Sequence, residues 1–372
     1  MDPALQKTFT FLSFILIGFL LKRKFGSQDQ VNGIKNLILT IALPSTIFVA
    51  LMGVEMSTNM LIMPVLALLF NFLLYFLTPM LSKLTGIDPD SSKGRTLRLL
   101  LPSLAPGLSC FPFILEYLGE SSLADAALAD VGNKFFVLIF LYVVAMNMYY
   151  RFHDEGTGSS KGKMKELFLS LISEPINLVI GLAIILLSFG VGFDNLPSFL
   201  GDTFSRLSLI MTPLVLFFIG LAVKLKKESL WPILNVLLIR AGITLLISTA
   251  LVLVTGINSE ATILLIMVFP LSSCSFWPFA HLSIFSKKEK GSVKTFDPEY
   301  AILVLALSLP ISTTLILGIL SSGSLFAKPV ISSMAGVILL GIALIAQLIR
   351  KLASGGINWG MSENKKLIEQ TE

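Results

Sequence analysis

Apolar runs of about 20 residues recur from one end of this chain to the other, each long enough to cross roughly 30 Å of hydrocarbon. They leave no stretch for a separate water-soluble core. Of the 372 residues 54% are hydrophobic and only 14% charged, against about 25% charged in an ordinary soluble protein. A soluble enzyme is excluded, and the expectation is one all-α polytopic membrane protein. Charged and Gly/Pro breaks divide it into spans near 8–22, 34–54, 59–82, 95–118, 123–150, 173–191, 204–224, 230–255, 259–285, 297–321 and 329–349, which is ten spans and an eleventh. The first run, Thr8 to Leu21, carries its basic cluster Lys22-Arg23-Lys24 behind it, with no small-residue cleavage site after it, so it reads as a retained span rather than a leader.

The net charge of +5 would suggest nucleic acid in a soluble protein. Here the bases sit in short loops and report topology instead. Four Lys or Arg lie in 22–35, four in 83–98, four in 151–166, three in 224–227 and four in 287–294, which are alternate connections. The intervening loops hold Glu55, then Glu116, Glu120 and Asp125, then Asp194 and Asp202, then Glu260, with Arg206 as their only base. This asymmetry predicts the N-terminus outside and the central loop cytoplasmic, in a plasma (cell inner) membrane. The stretch from Arg151 to Lys165 reads as a connector between two halves.

Displacing the chain by about 169 residues lays Ile41-Ala-Leu-Pro44 over Ile210-Met-Thr-Pro213, Pro64 near Pro232, and Asn71 over Arg240. Span four then meets span nine. One contains PGLSCFPF from Pro106 and the other PLSSCSFWPF from Pro270, each with two prolines around small polar residues and a cysteine. Five spans per repeat is an odd number, so the second copy enters the membrane from the opposite side. The expected architecture is therefore two inverted five-helix repeats with crossed broken helices at spans 4 and 9, plus an extra C-terminal span. Its units are a first repeat over 1–150, a cytoplasmic connector over 151–172, a second repeat over 173–321, and the extra span with its tail over 322–372. Proline removes a backbone donor, so half-helices beginning at Pro112 and Pro278 would aim their positive ends at mid-membrane, a setting for an anion. The plain alternative is that these prolines only kink their helices. Ser109, Cys110, Ser272, Ser273, Cys274 and Ser275 are the side chains nearest the breaks.

Ionisable residues deep in a span cost about 2.5–3.5 kcal/mol each on insertion scales and need a partner or a use. Asp130, Lys134 and Arg240 are the candidates. Asp130 and Lys134 are four apart on one helix and can pair, with Asn133 beside them. Arg240 has no acid in its own span; a guanidinium there can grip a carboxylate in two places, or else serve Asp130 or the carbonyls of a broken helix. On the first of these readings Arg240→Ala abolishes anion binding and leaves folding intact. Asn71 suits a hydrogen bond between helices, and His281 suits either packing or proton transfer. Cys110 and Cys274 lie in apolar segments with no CxxC and no His cluster, so no disulfide framework, metal or cofactor is expected. No GxSxG, HExxH or P-loop occurs, which argues against an enzyme or an ATP-driven pump.

The stretch Gln28 to Asn36 (QDQVNGIKN), followed by Leu39 to Pro44 (LTIALP), resembles the second-span region of the auxin efflux carrier family. Ser109 to Gly119 (SCFPFILEYLG) with Ala124 to Asn133, then Trp277-Pro-Phe-Ala, Phe296-Asp-Pro-Glu-Tyr and Leu307-Ser-Leu-Pro310-Ile, are similar to its fourth, fifth, ninth and tenth spans. That resemblance covers residues 1 to about 321. It implies an elevator carrier for a small organic anion, indole acetate in plant members and malate or malonate in some bacterial ones. Spans one, two, six and seven would form a dimerising scaffold and the others the moving part. The chain departs from the family in lacking a long hydrophilic central loop, in having Ser109-Cys110 where many members place Asn, and in its eleventh span. Two other readings stay open: a sodium-coupled organic anion symporter of the bile-acid-carrier type, and a membrane ligand sensor that signals without transport.

Overall fold

Within hydrocarbon every backbone N–H and C=O must be bonded inside its own segment, so the apolar runs have only the helix available to them. The computed structural model describes residues 3–25, 27–53, 62–153, 169, 173, 175–222, 230–286, 289 and 294–355, and among these there is no strand. Among the described residues seven helices are long and apolar enough to cross a membrane: Asp29–Met52, Met63–Leu84, Phe111–Arg151, Ser198–Leu221, Trp231–Thr255, Pro298–Ser321 and Pro329–Ile349. Three shorter apolar helices accompany them, Phe9–Leu21, Pro175–Ser188 and Glu260–Leu271. Most of the expected connector over 151–172, the lysines of 224–227 and the end of the tail from 356 lie outside the described residues.

Several boundaries differ from the sequence reading for identifiable reasons. The second span begins not near residue 34 but at α2 (Gln28–Leu37), because the Ser27 hydroxyl accepts from the Gln30 amide at 3.3 Å and caps it. One π turn over Ile38–Ala42 leads into α3 (Leu43–Met52); it directly precedes Pro44, which has no N–H to return to the turn before. The 41-residue run Phe111–Arg151 is not one rod. Gly119 takes φ 84° and ψ −179°, which a residue without Cβ tolerates, and the chain turns there. The arm that follows carries Asp130, Asn133 and Lys134.

The helices pack in two groups. In the first, α1 (Pro3–Leu21) crosses Met211–Ala222 so closely that a Cβ on Gly18 would collide with the Phe217 carbonyl, while α3 lies against Pro175–Ser188 and Ser198–Leu209. In the second, α4 (Met63–Leu84) runs along the arm over 120–135, and Leu230–Thr255 packs along the C-terminal helix Pro329–Gly355. There Gly242 and Gly336 face each other; a Cβ on either would stand within 2.8 or 2.9 Å of the other's carbonyl oxygen. Small residues permit this approach where no hydrophobic force separates helix from lipid.

Candidate functional site

Two places in the second group leave the helix. The first lies between α5 (Ser92–Leu100) and α6 (Pro106–Ser109), over residues 101–105; the second follows the 3-10 turn Phe269–Leu271 and precedes the helix Trp277–Ser286. In the fourth span the chain thus leaves the helix ahead of Pro106, over 101–105, and again at Cys110, between Pro106 and Pro112. Pro106 opens the short α6, where its missing N–H costs nothing. Pro112 sits one residue inside α7 (Phe111–Phe135), after a kink at Cys110 with φ −134° and ψ −48°. Pro112 thus stands in the first turn of the helix that begins at Phe111. Pro278 likewise sits in the first turn of its helix.

The two non-helical segments bond to each other. The Ala105 amide donates to the Ser273 carbonyl at 2.8 Å, the Ser273 amide to the Ser109 hydroxyl at 3.0 Å, and the Ser275 amide to the Ser103 hydroxyl at 3.0 Å. Serine at 103, 109 and 273 supplies a short side chain that serves backbone groups a helix would otherwise satisfy. What remains is a surplus of carbonyls, and Arg240 takes them. Its Nε donates to the Leu101 carbonyl at 2.8 Å, both terminal nitrogens to Ser272 at 3.0 Å, and one of them to Ser103 at 3.5 Å. Arg240 is buried. Of its open alternatives the geometry matches the one in which it serves the carbonyls of the interrupted helices, with four of its five N–H donors engaged there.

Asn133 fastens the first segment to its neighbours. Its amide nitrogen donates to the Leu104 carbonyl at 3.0 Å and to Asp130 at 2.8 Å, and its oxygen accepts from the Leu104 amide at 3.2 Å and from Asn71 at 3.0 Å. Asn71, fully buried, belongs to this interhelical tie rather than to a ligand site. Lys134 lies 3.3 Å from the Asp130 carboxylate. His281 is buried, with a ring nitrogen 3.0 Å from the Val137 carbonyl beside the second π turn, Phe136–Phe140. Packing and that bond account for it. Cys110 is buried against the Val268 carbonyl.

A cavity of about 390 Å³ opens beside the joined segments, between the two helix groups, a volume suited to a small ligand. Of the residues singled out from sequence, Asp130, Asn133, Lys134, Ser273, Cys274 and Ser275 line it. Ser109, Cys110, Pro112, Pro278, Arg240, Asn71 and His281 do not. The residue that sequence reasoning missed is Lys35. It lines the cavity with its ammonium 5.2 Å from the centroid of the Phe276 ring, a cation–π distance, and no carboxylate among the described residues pairs with it. Lys35 reads as one of the loop cations of 22–35 when the span is started near residue 34; the Ser27 cap places it two turns inside a helix. Phe218 and Trp277 complete the wall with aromatic surface. The cavity lining therefore holds two ammonium groups and one carboxylate, a surplus of one positive charge. Among the described residues no group of three or more His, Cys, Asp or Glu comes together, and no donor set for a metal lines the cavity.

No protein-family model matches the chain. It is similar to the uncharacterized transporter MJ1031 of Methanocaldococcus jannaschii, with 27% identity over 222 residues that make up 58% of this chain and 67% of that protein. The helices define the class to which the chain belongs: an all-helical integral membrane protein.

Proposed function

We propose that this chain is a secondary transporter, a carrier of the auxin efflux type that moves a small organic anion across the membrane by alternating access. The observation that carries the reading is the cavity between the two helix groups, with Lys35 on one side, Lys134 on the other and a single carboxylate to offset them. The likeness to a protein named as a transporter supports transport as the activity. A monoanion entering the cavity would neutralise its surplus charge, held by Lys35 and Lys134 and by the first turn of the helix at Trp277, whose positive dipole end borders the space.

The grouping of helices supports the elevator form of that reading. Spans one, two, six and seven pack with one another, as a dimerising scaffold should, and the interrupted segments belong to the other group. Displacement by 169 carries the element bounds of one half onto the other: Met63–Leu84 falls on 232–253, inside Leu230–Thr255, and residues 101–105 fall on 270–274. The first and second spans also exchange partners in the manner an inverted pair requires, since α1 meets Met211–Ala222 while α3 meets Pro175–Ser188. Arg240 occupies the carbonyls that would otherwise serve a cation, which favours a carrier without bound sodium over the symporter reading. The orientation follows the charge asymmetry, N-terminus outside and central loop cytoplasmic.

The test is counterflow of labelled carboxylates, among them malate, malonate and indole acetate, into vesicles containing only this protein, alongside a thermal-shift screen of the same acids with and without sodium. Selective stabilisation by one acid, sodium-independent and accompanied by flux, is the expected result. Stabilisation without flux would indicate a sensor, sodium-dependent flux a symporter, and no response to any acid would remove the anion reading.

A further inference from the structure

A second cavity, of about 380 Å³, lies far from the interrupted segments, where the first turns of Leu230–Thr255, the last turns of Pro329–Gly355 and the Thr85-Gly86 turn after α4 meet. Two amide oxygens are buried in this region without a hydrogen-bond partner, Asn235 Oδ1 and Gln347 Oε1, and both residues line the space. Gly86, at φ 76°, closes the turn and lets the Gln347 amide lie against it; a Cβ there would come within 3.2 Å of Gln347 Nε2. Buried acceptors left unpaired cost about 1–3 kcal/mol each, so an arrangement that keeps two of them in one pocket calls for a ligand with two donors.

Where the pocket opens identifies the source of that ligand. Its lining includes Trp231, 64% exposed, and Ile342, 52% exposed, both on the outer faces of apolar helices. The mouth therefore faces acyl chains, with an indole at the depth where Trp anchors a helix to the headgroup layer. Lys83 stands in the last turn of α4, two residues before the Thr85-Gly86 turn that lines the pocket. A cationic setting disfavours an ammonium headgroup and favours a phosphate bearing neutral hydroxyls.

We propose that this pocket binds the headgroup of a phospholipid with free hydroxyls, a glycerophosphate or other polyol phosphate, from the leaflet that the charge asymmetry assigns to the cytoplasm. The hydroxyls donate to Asn235 and Gln347, Lys83 at the end of α4 attracts the phosphate, and the acyl chains run along the seam between span eight and the C-terminal helix. The eleventh span thereby acquires a use: it supplies one wall of a lipid site. This site is independent of which anion the central cavity takes.

The experiment uses the full chain, delipidated in neutral detergent, and measures lipid retention by native mass spectrometry together with the melting midpoint. Phosphatidylglycerol is compared with phosphatidylcholine of the same chains, and with glycerol 3-phosphate as the free headgroup. Two neutral hydrogen bonds correspond to roughly a tenfold preference for phosphatidylglycerol. The double variant Asn235→Leu/Gln347→Leu should lose that preference while melting unchanged in phosphatidylcholine. Should that variant fail to fold, Asn235→Asp keeps the side-chain volume and adds a charge that repels phosphate, so it must lose the preference as well. Equal retention of the two lipids, or a preference that survives in the variants, overturns the proposal; a response to glycerol 3-phosphate alone equal to that of the lipid overturns the lipid source.

Discussion

Removing the Arg240 side chain should damage the fold rather than the ligand site, and the size of the damage follows from the bonds it makes. Arg240→Ala removes the guanidinium from three buried carbonyls, at Leu101, Ser103 and Ser272. At about 1–3 kcal/mol for each acceptor left unsatisfied, and least for the long 3.5 Å contact to Ser103, the loss comes to roughly 3–6 kcal/mol. That is a large part of the stability of a typical domain, about 5–15 kcal/mol. An unfolding entropy of about 2.1 cal/mol/K per residue, taken over the whole chain, turns such a loss into a drop of at least about 4 °C in the melting midpoint, and more if the helices persist in the unfolded state. Arg240→Lys should recover part of it, because an ammonium can reach one or two of the three carbonyls but cannot spread a planar fork across both segments. The assay is tryptophan fluorescence during heating in detergent, without ligand. A midpoint for Arg240→Ala within 1 °C of the parent, at a resolution of roughly that size, would refute the argument that the guanidinium ties the interrupted helices together.

The central cavity makes a contrasting prediction. Lys35→Gln should leave the ligand-free melting midpoint unchanged, since no carboxylate among the described residues depends on its charge, yet weaken binding of the stabilising acid by about 10–100-fold, the worth of a charge-assisted bond; a thermal melt reads the first and a calorimetric titration the second. Lys134→Ala should do both kinds of harm, because it removes a cation from the cavity and strands Asp130, and Lys134→Arg should restore the stability measured by heating. Asn133→Leu breaks four hydrogen bonds among Leu104, Asp130 and Asn71, and should lower stability by about 2–4 kcal/mol, seen as a lower melting midpoint even with ligand present. Gly18→Leu should force α1 away from Met211–Ala222 and reduce the yield of folded protein in size-exclusion profiles, whereas the same change at Gly33, where a Cβ meets nothing within 4 Å, should not.

How much of this was legible beforehand depended on the range of the interaction concerned. The apolar runs are local, and helices followed wherever they fell. Asp130 and Lys134, four apart, paired as their spacing implies. The prolines stand beside the places where the chain leaves the helix, but Pro106 can either break a helix or open one, and the choice rests on what Ala105 and Ser273 find to bond with across the chain. Arg240 was visible as a buried charge in need of a purpose. Its partner carbonyls were not, since any residue carries a carbonyl and only the folded backbone decides which ones are left over. Lys35 hid for a different reason: a cation near the end of an apolar run looks like a loop charge until the cap at Ser27 extends the helix beneath it.

The guanidinium that joins the two interrupted segments also constrains how the protein is made. Leu101 and Ser103 enter the bilayer 139 and 137 residues before the arginine that completes them, so for that interval their carbonyls lack their final donor. The first half therefore cannot mature on its own. Synthesised as a fragment over 1–150 it should be held by the insertion machinery or degraded by quality-control proteases, and supplying residues 151–372 as a separate polypeptide should rescue it. Biogenesis of the two halves is in this sense a single event, finished only when span eight arrives.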